Sequence, residues 1–283
     1  MPLQRLVVIN ADDFGLAPGV NRGIVEGHEA GTLSSASMMV NTPAFAAAAA
    51  LARERVPTLS VGLHLNLLAG RPLSAVPTLT NPRDGLFHSL ATLTLRALTG
   101  RVRASDVRRE CDAQLGALAA QGIRITHLDS HRHTHALPGV LPAVLASARA
   151  AGVHIVRCPL DKPTLSDAVA SAKMLALHAA WRSALLGVAA EDRAAATRAP
   201  RFRGIALQGA TDVERRLLHV LDHLPLGTTE IMMHPGYDDA VLATLDPYRS
   251  EREREVAALC SAAVRARLAR GDIRLVHFGA LSS

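Results

Sequence analysis

Short apolar or β-branched runs alternate along this chain with stretches of helical periodicity, and that alternation limits the fold more than any other property. The runs fall at residues 6–11, 35–41, 60–67, 125–130, 154–158, 204–207, 230–234 and 274–278. Helical segments lie between them, at 21–29, 44–54, 105–121, 140–151, 166–186, 212–221 and 250–270. Ser105 and Thr211 stand where helices should be capped, and Gly122, Gly152 and Gly271 where they should stop. Alternating β and α units of this length predict a parallel sheet or a barrel, and about eight of them favour the barrel. The expected fold is α/β, (β/α)-barrel-like and irregular. One domain should span residues 1–283, with a helical insertion at about 161–203 and a long loop over the Pro- and Thr-rich 71–84.

Composition narrows the function classes. Aromatic residues are only 3% of the chain, so Ala, Leu and Val must build the core. The formal charge is +6, carried almost entirely by arginine, since Lys162 and Lys173 are the only lysines. The arginine clusters at 101–109 and 249–254 are interleaved or flanked by Asp106, Glu110, Glu251, Glu253 and Glu255. Such mixed patterns read as solvated helix faces rather than a nucleic-acid groove, and no nucleic-acid partner is expected. Cys111, Cys158 and Cys260 are far apart and in no CxxC pattern, as expected of reduced thiols in a cytoplasmic protein. No transmembrane segment is expected, because no stretch reaches the roughly 18 apolar residues a membrane span needs. The nearest, 174–190, carries His178 and Arg182. It reads as an amphipathic helix for which a peripheral membrane contact stays open.

The polar exceptions to this pattern gather where chemistry would be expected. In a βα barrel, loops at the C-terminal ends of the strands build the site. Asp12 and Asp13 follow the first apolar run, His64 sits late in the third, His131 follows the fourth and His234-Pro235-Gly236 ends a late one. Adjacent aspartates on extended backbone point apart, which suits one cation ligand and one base. His64 and Asn66 share a face, and leaving either buried without a partner would cost about 1–3 kcal/mol. The segment from Thr126 to His135 holds His127, Asp129, His131, His133 and His135 at alternate positions. On a strand these would form one column, useful for a metal or a proton. His131, at the expected strand end, is the candidate ligand. Asp129 is a candidate for orienting a histidine, with His133 and His135 facing substrate or supporting the ligands. His234 is a candidate general acid, whereas His28, His154, His178, His219 and His223 read as ordinary.

These motifs together closely resemble the YdjC-type carbohydrate deacetylases, a family with chitooligosaccharide deacetylases and a hopanoid-biosynthesis branch. The matching segments are Asn10-Ala11-Asp12-Asp13-Phe14-Gly15-Leu16, Gly62-Leu63-His64-Leu65, the Thr126–His135 stretch and Met233-His234-Pro235-Gly236-Tyr237. They occur in order between about residue 5 and residue 240. The resemblance implies a barrel related to the polysaccharide deacetylases and metal-dependent hydrolysis of N-acetyl groups from an acetylated amino sugar, oligosaccharide or glycolipid. It implies Asp13, His64 and His131 as metal ligands, Asp12 as catalytic base, His234 as acid, and a homodimer. It also implies magnesium, whereas two imidazoles and one carboxylate chemically suit zinc better. Two other readings of the site compete, beside the basic, nucleic-acid-associated protein that the charge pattern disfavours. One is a metal-dependent phosphohydrolase, which would normally want two metals and more carboxylates. The other is a non-catalytic carbohydrate-binding relative, which would have no need of Asp12.

Overall fold

The computed structural model describes residues 4–162, 168–197 and 199–281. Among them a sheet of seven strands forms: β1 (Arg5–Phe14), β2 (Ser35–Met38), β3 (Ser60–Leu65), β4 (Leu128–Ser130), β5 (Arg201–Arg203), β6 (Gly227–Met233) and β7 (Ile273–Leu275). The spatial order is β4-β3-β2-β1-β6-β5, with β7 pairing the start of β1. Every ladder is parallel. β1 is buried from Val7 to Phe14, as a central strand covered on both faces must be.

The sheet is curled. The expected strand at 154–158 is reduced to a single parallel bridge, Val156 to Leu128, which places it beside β4. In a flat sheet Arg157 would then lie five strand spacings from β6, about 24 Å. Instead its Nε donates to Glu230 on β6 at 2.8 Å. The side chains of distant strands therefore meet inside a barrel-like wall, as the alternation of elements predicts.

Helices cover the outside. Pro18–Glu29 follows β1, Phe45–Glu54 follows β2, Leu90–Leu98 and Ala104–Ala119 lie between β3 and β4, and Leu141–Ala150 follows β4. Val213–Asp222 joins β5 to β6. Proline in the first turn suits the start of Pro18–Glu29, where its missing N–H costs nothing. Small residues on Phe45–Glu54 (Ala48, Ala49, Ala52) supply its buried face. Gly122, Gly152 and Gly271 adopt positive φ after helices, as stop signals should.

Several boundaries depart from expectation. The strand expected at 204–207 is Arg201–Arg203, because the chain turns out of the sheet at Gly204, whose φ is 141°. The single helix expected at 250–270 breaks into Glu251–Leu259 and Ala262–Leu268, where the Ser261 hydroxyl accepts from Val264 N and starts a second helix. Ser105 lies inside the helix beginning at Ala104, and Asp212, not Thr211, occupies the other cap position. Within 161–203 lie the helices Ala168–Leu185 and Ala190–Thr197; residues 163–167 and 198 fall outside the described residues. Among the described residues no helix is long and apolar enough to cross a membrane.

Candidate active site

Asp12, Asp13, His64, His131 and His234 line one cleft of about 410 Å³. Each comes from the C-terminal end of a different strand or the turn just after it, apart from the aspartates, which share β1. The positions dispersed along the chain thus converge.

Local backbone geometry sets the aspartates apart. Asp13 has φ 69°, a left-handed conformation that side chains other than glycine rarely adopt. Leu16 N then donates to Asp13 O at 3.0 Å, turning the chain out of the sheet. Gly15 is needed in this turn: its φ is 95°, and a Cβ there would lie 2.6 Å from Met39 O. Asn21 ties the turn down, accepting from Gly15 N at 2.7 Å and donating to Ala44 O at 3.1 Å. Strain of this kind typically costs 1–3 kcal/mol and persists where the surroundings enforce it.

Asp13, His64 and His131 are buried and form a compact donor set. Asp13 Oδ1 lies 3.2 Å from His64 Nε2 and 2.9 Å from His131 Nδ1. Two ligands each about 2.1 Å from one ion, at angles of 90–109°, lie roughly 3.0–3.4 Å apart, so the spacing fits a single divalent ion. The other imidazole nitrogen of His64 is held by Asp129 Oδ1 at 2.7 Å, which fixes the ring as carboxylates commonly fix metal-binding histidines. Burial alone would lower the His64 pKa, but Asp129 and Asp12 outweigh it and raise the value to about 10. That rise reports a negative potential which favours a cation at this point. Asp13 is held well below the usual carboxylate range: burial opposes this, but His131 and Arg252 overcome it. Arg252 donates to Asp13 Oδ2 at 2.7 Å.

A second group, Asp12, His64 and Asp129, also has donor atoms within ligand range. It would need the other nitrogen of His64, and its carboxylates are engaged elsewhere. Arg157, fully buried, donates to both oxygens of Asp12 at 2.7 Å and lies 2.7 Å from Asp129 Oδ2 and 2.6 Å from Glu230 Oε1. Asn10 joins Asp12 Oδ1 to Ser37 Oγ, which in turn donates to Asp129. One guanidinium thus holds three carboxylates. Burial raises the Asp12 pKa above the ordinary value; Arg157 opposes this and Asp129 adds to it. Burial likewise pushes Glu230 up to about 7, against the pull of Arg157.

His234 hangs over the other side of the cleft. Its backbone N–H donates to Glu255 Oε2 at 2.5 Å, and the opposite Glu255 oxygen accepts from the Tyr248 hydroxyl. Its Nε2 lies 3.9 Å from Asp12 Oδ2, while Nδ1 is buried without a hydrogen-bond partner. Burial holds its pKa well below the ordinary imidazole value; Asp13 pulls up, and Arg252 and Lys173 push down.

The column of histidines does not exist. β4 ends at Ser130, and residues His131–Ala136 form a 3-10 turn in which Arg132 and His133 take φ of 52° and 57°. The period-two argument fails once the backbone leaves the strand. His127 points into the barrel base, bonded to Ser37 and Thr126 and stacked on Phe278 with ring centroids 3.9 Å apart. Gly62 makes room for it, since a Cβ there would meet the ring at 2.5 Å. His135 bonds Ser130 Oγ and Arg157 O and packs edge-on to Trp181, away from the cleft lining. His133 does line the cleft, with a buried and unpartnered Nδ1. Asn66, expected to face inward with His64, instead organises the next loop by accepting from Leu68 N and Ala69 N. The sequence reading passed over Arg157 and Glu230, and it placed Arg252 and Glu255 on a solvated helix face, whereas both are buried. A signal existed for the first: a lone arginine inside the apolar run His154-Ile155-Val156-Arg157 cannot be buried without acids opposite it.

The barrel and cleft define a βα-barrel protein with, among the described residues, a buried Asp/His cluster that could hold a divalent ion, flanked by a clamped carboxylate and an imidazole. Comparison with known proteins agrees with that class. The chain belongs to the YdjC-like protein family, whose model matches residues 6–270. It is 34% identical over 276 residues to a carbohydrate deacetylase of Brevibacillus brevis, covering 97% of this chain and 99% of the relative. It is 33% identical to a carbohydrate deacetylase of Mus musculus, covering 100% and 96%. A chitooligosaccharide deacetylase of Yersinia pestis is 31% identical, covering 98% and 99%. Among solved structures, a putative cellobiose-phosphate cleavage protein of Enterococcus faecalis superposes with a TM-score of 0.78 at 25% identity, covering 99% of this chain and 100% of that one.

Proposed function

We propose that this protein is a metal-dependent N-deacetylase that releases acetate from an acetylated amino sugar, free, oligomeric or as a glycoconjugate. The observation that carries the reading is the Asp13–His64–His131 donor set opening on the same cleft as Asp12 and His234. The deacetylase relatives, matched over nearly their whole length, supply the reaction class. β1, β3, β4 and the turn after β6 all contribute, so we read the chain as one catalytic domain.

The residues divide the work as follows. The chemistry supplied at Asp13, His64 and His131 when a divalent ion is bound is Lewis acidity toward the acetyl oxygen and the attacking water. Asp12 accepts the proton of that water, and its raised pKa makes it a better base than an exposed aspartate. Arg157 fixes the plane of Asp12 through two parallel hydrogen bonds, so the base cannot swing away. His234 donates a proton to the departing amine nitrogen. Because burial keeps its imidazole neutral at rest, that proton arrives during turnover, and Asp12, 3.9 Å away, has just taken one. Water and amide thereby become acetic acid and amine, which part as acetate and ammonium once the acid's proton passes to the amine. Two imidazoles and one carboxylate favour zinc over magnesium, which prefers an all-oxygen shell.

Among the described residues, the geometry favours one ion over the two that a phosphohydrolase would use. The second donor group shares His64, and its carboxylates are clamped by Arg157. The test is a panel of acetylated amino sugars incubated with the zinc- or magnesium-loaded protein, with liberated acetate quantified. Acetate from at least one member, lost in Asp12→Asn, is expected; no acetate from any member, with the ion bound, would remove the reading.

A further inference from the structure

The helix Ala168–Leu185 presents apolar side chains on two opposite faces, and the fold covers only one of them. Ala170, Met174, Trp181 and Ala184 are buried against the barrel. At 100° per residue, positions 169, 172, 175, 176, 179 and 183 fall on the far side within an arc of about 120°, and Leu186 lies in the turn just past the helix. The six are Val169, Ala172, Leu175, Ala176, Ala179 and Ser183, and all are exposed, as is Leu186. Val169 is 82%, Leu175 59% and Leu186 84% accessible. An exposed stripe of this kind calls for a partner surface.

The charges say which kind. From Ala168 to Ala190 the chain has no acidic residue. Arg182 lies at one border of the exposed arc, where a long cationic side chain can reach past an apolar face, whereas Lys173 at the other border donates to Gln208 Oε1 at 2.8 Å beside the catalytic cleft. The helix end opens on a second cavity of about 620 Å³, with an apolar wall including Trp181, Leu185 and Leu186 and with Lys162, Arg193, Arg201 and Arg203 at its edges. Of these four, Arg203 pairs with a carboxylate, that of Asp161. An apolar face with Arg182 at its border, beside an apolar hollow edged with further cations, matches acyl chains below anionic headgroups. A water-soluble sugar would need neither.

We propose that this face docks the protein on an anionic lipid bilayer. The docking does not depend on the deacetylase reading, since none of the face residues belongs to the metal donor set, Asp12 or His234. It would, however, bring the bilayer beside the catalytic cleft. Lys173 on the same helix lines that cleft. Leu90, which also lines it, begins a helix whose Leu95 and Leu98 are exposed as well.

The experiment is co-sedimentation of the full chain with phosphatidylcholine vesicles and with mixed phosphatidylcholine–phosphatidylglycerol vesicles. Binding to the mixed vesicles only, weakened by added salt, is expected. The variant Val169→Ser/Leu175→Ser/Leu186→Ser should lose several-fold in bound fraction with an unchanged urea midpoint, and Arg182→Gln should lose less. Failure of the wild type to sediment with anionic vesicles would overturn the proposal, as would undiminished binding by the triple variant. So would a third result, from analytical ultracentrifugation: the triple substitution splitting a dimer while leaving vesicle binding untouched, which would give this face to a second copy of the chain.

Discussion

Two buried polar clusters share the barrel interior, touching through Asp12, His64 and Asp129, and they are built on opposite principles. Around Arg157, one guanidinium answers Asp12, Asp129 and Glu230, and Asn10 and Ser37 take up further donor and acceptor sites. Around Asp13, two imidazole nitrogens and a carboxylate oxygen point at each other across 2.9–3.2 Å. That arrangement repays its burial only when a cation, or a proton in its place, sits there. The closed cluster makes a rigid bed, and the open one is the site that bed positions. The difference teaches that buried charge is not itself the mark of function; the mark is buried nitrogen and oxygen donors brought within reach of one ion.

The comparison breaks most visibly at the closed cluster. Arg157→Met should leave three buried carboxylates without a cation and destabilise the fold by about 3–5 kcal/mol, read from the urea midpoint. A shift well under that would mean the carboxylates are already protonated or hydrated. The next largest effect sharpens the divide between clamp and ligand. Asp12→Asn keeps the hydrogen-bonded shape but removes the base, so kcat should fall on the order of 10²–10⁴-fold while bound metal stays constant. Metal loss in that variant would move Asp12 into the ligand set.

Asp129 belongs to both clusters and tests their coupling. Asp129→Asn should weaken metal affinity about 10–100-fold through loss of the His64 anchor, measured by competition with a chelating dye. Unchanged affinity would sever the two clusters.

The smallest effect concerns pH. Burial lowers His135 to about 4 and His127 to about 3, against an ordinary 6.5. Their folded values are depressed, so the unfolded chain takes up protons first. The stability they contribute is whole above about pH 6.5 and drains away as pH falls toward those values. Glu230 and Glu255, both pushed up to about 7 mainly by burial, act in the opposite sense, since their folded forms protonate first and gain stability as pH falls from 7 toward 4.5. The two trends oppose each other in the protein as it stands. Removing one side should expose the other: His135→Gln should lose less stability with acid than the parent, by up to about 1.4 kcal/mol per pH unit between 6 and 4.5. Identical slopes for parent and variant would contradict the buried, neutral assignment.

Much of the fold was legible because its strands are apolar and its helices periodic. β1, β2, β3 and β6 begin within a few residues of where pattern alone puts them. The helix Leu90–Leu98 escaped because Thr92 and Thr94 weaken its periodicity, and its start is marked only by Ser89, whose hydroxyl accepts from Thr92 N. β5 was expected three residues too late, at 204–207, because Arg201 and Arg203 flank its one buried residue, Phe202. In the candidate site, the residues at strand ends were readable because polar side chains interrupt apolar runs there. The histidine column misled because side-chain alternation holds only while the backbone stays extended, and two left-handed residues after His131 end it. The supporting residues Arg252 and Glu255 were hidden on a helix rich in alternating charges, where burial of two members cannot be told from exposure of the rest.

The central claim is most directly tested by metal stoichiometry after exhaustive dialysis against limiting zinc. The intact protein should hold one ion per chain, and the variant Asp13→Asn/His64→Ala/His131→Ala should hold none while keeping a cooperative unfolding transition. An ion retained by that variant with undiminished affinity would contradict the account, as would an intact protein that binds none.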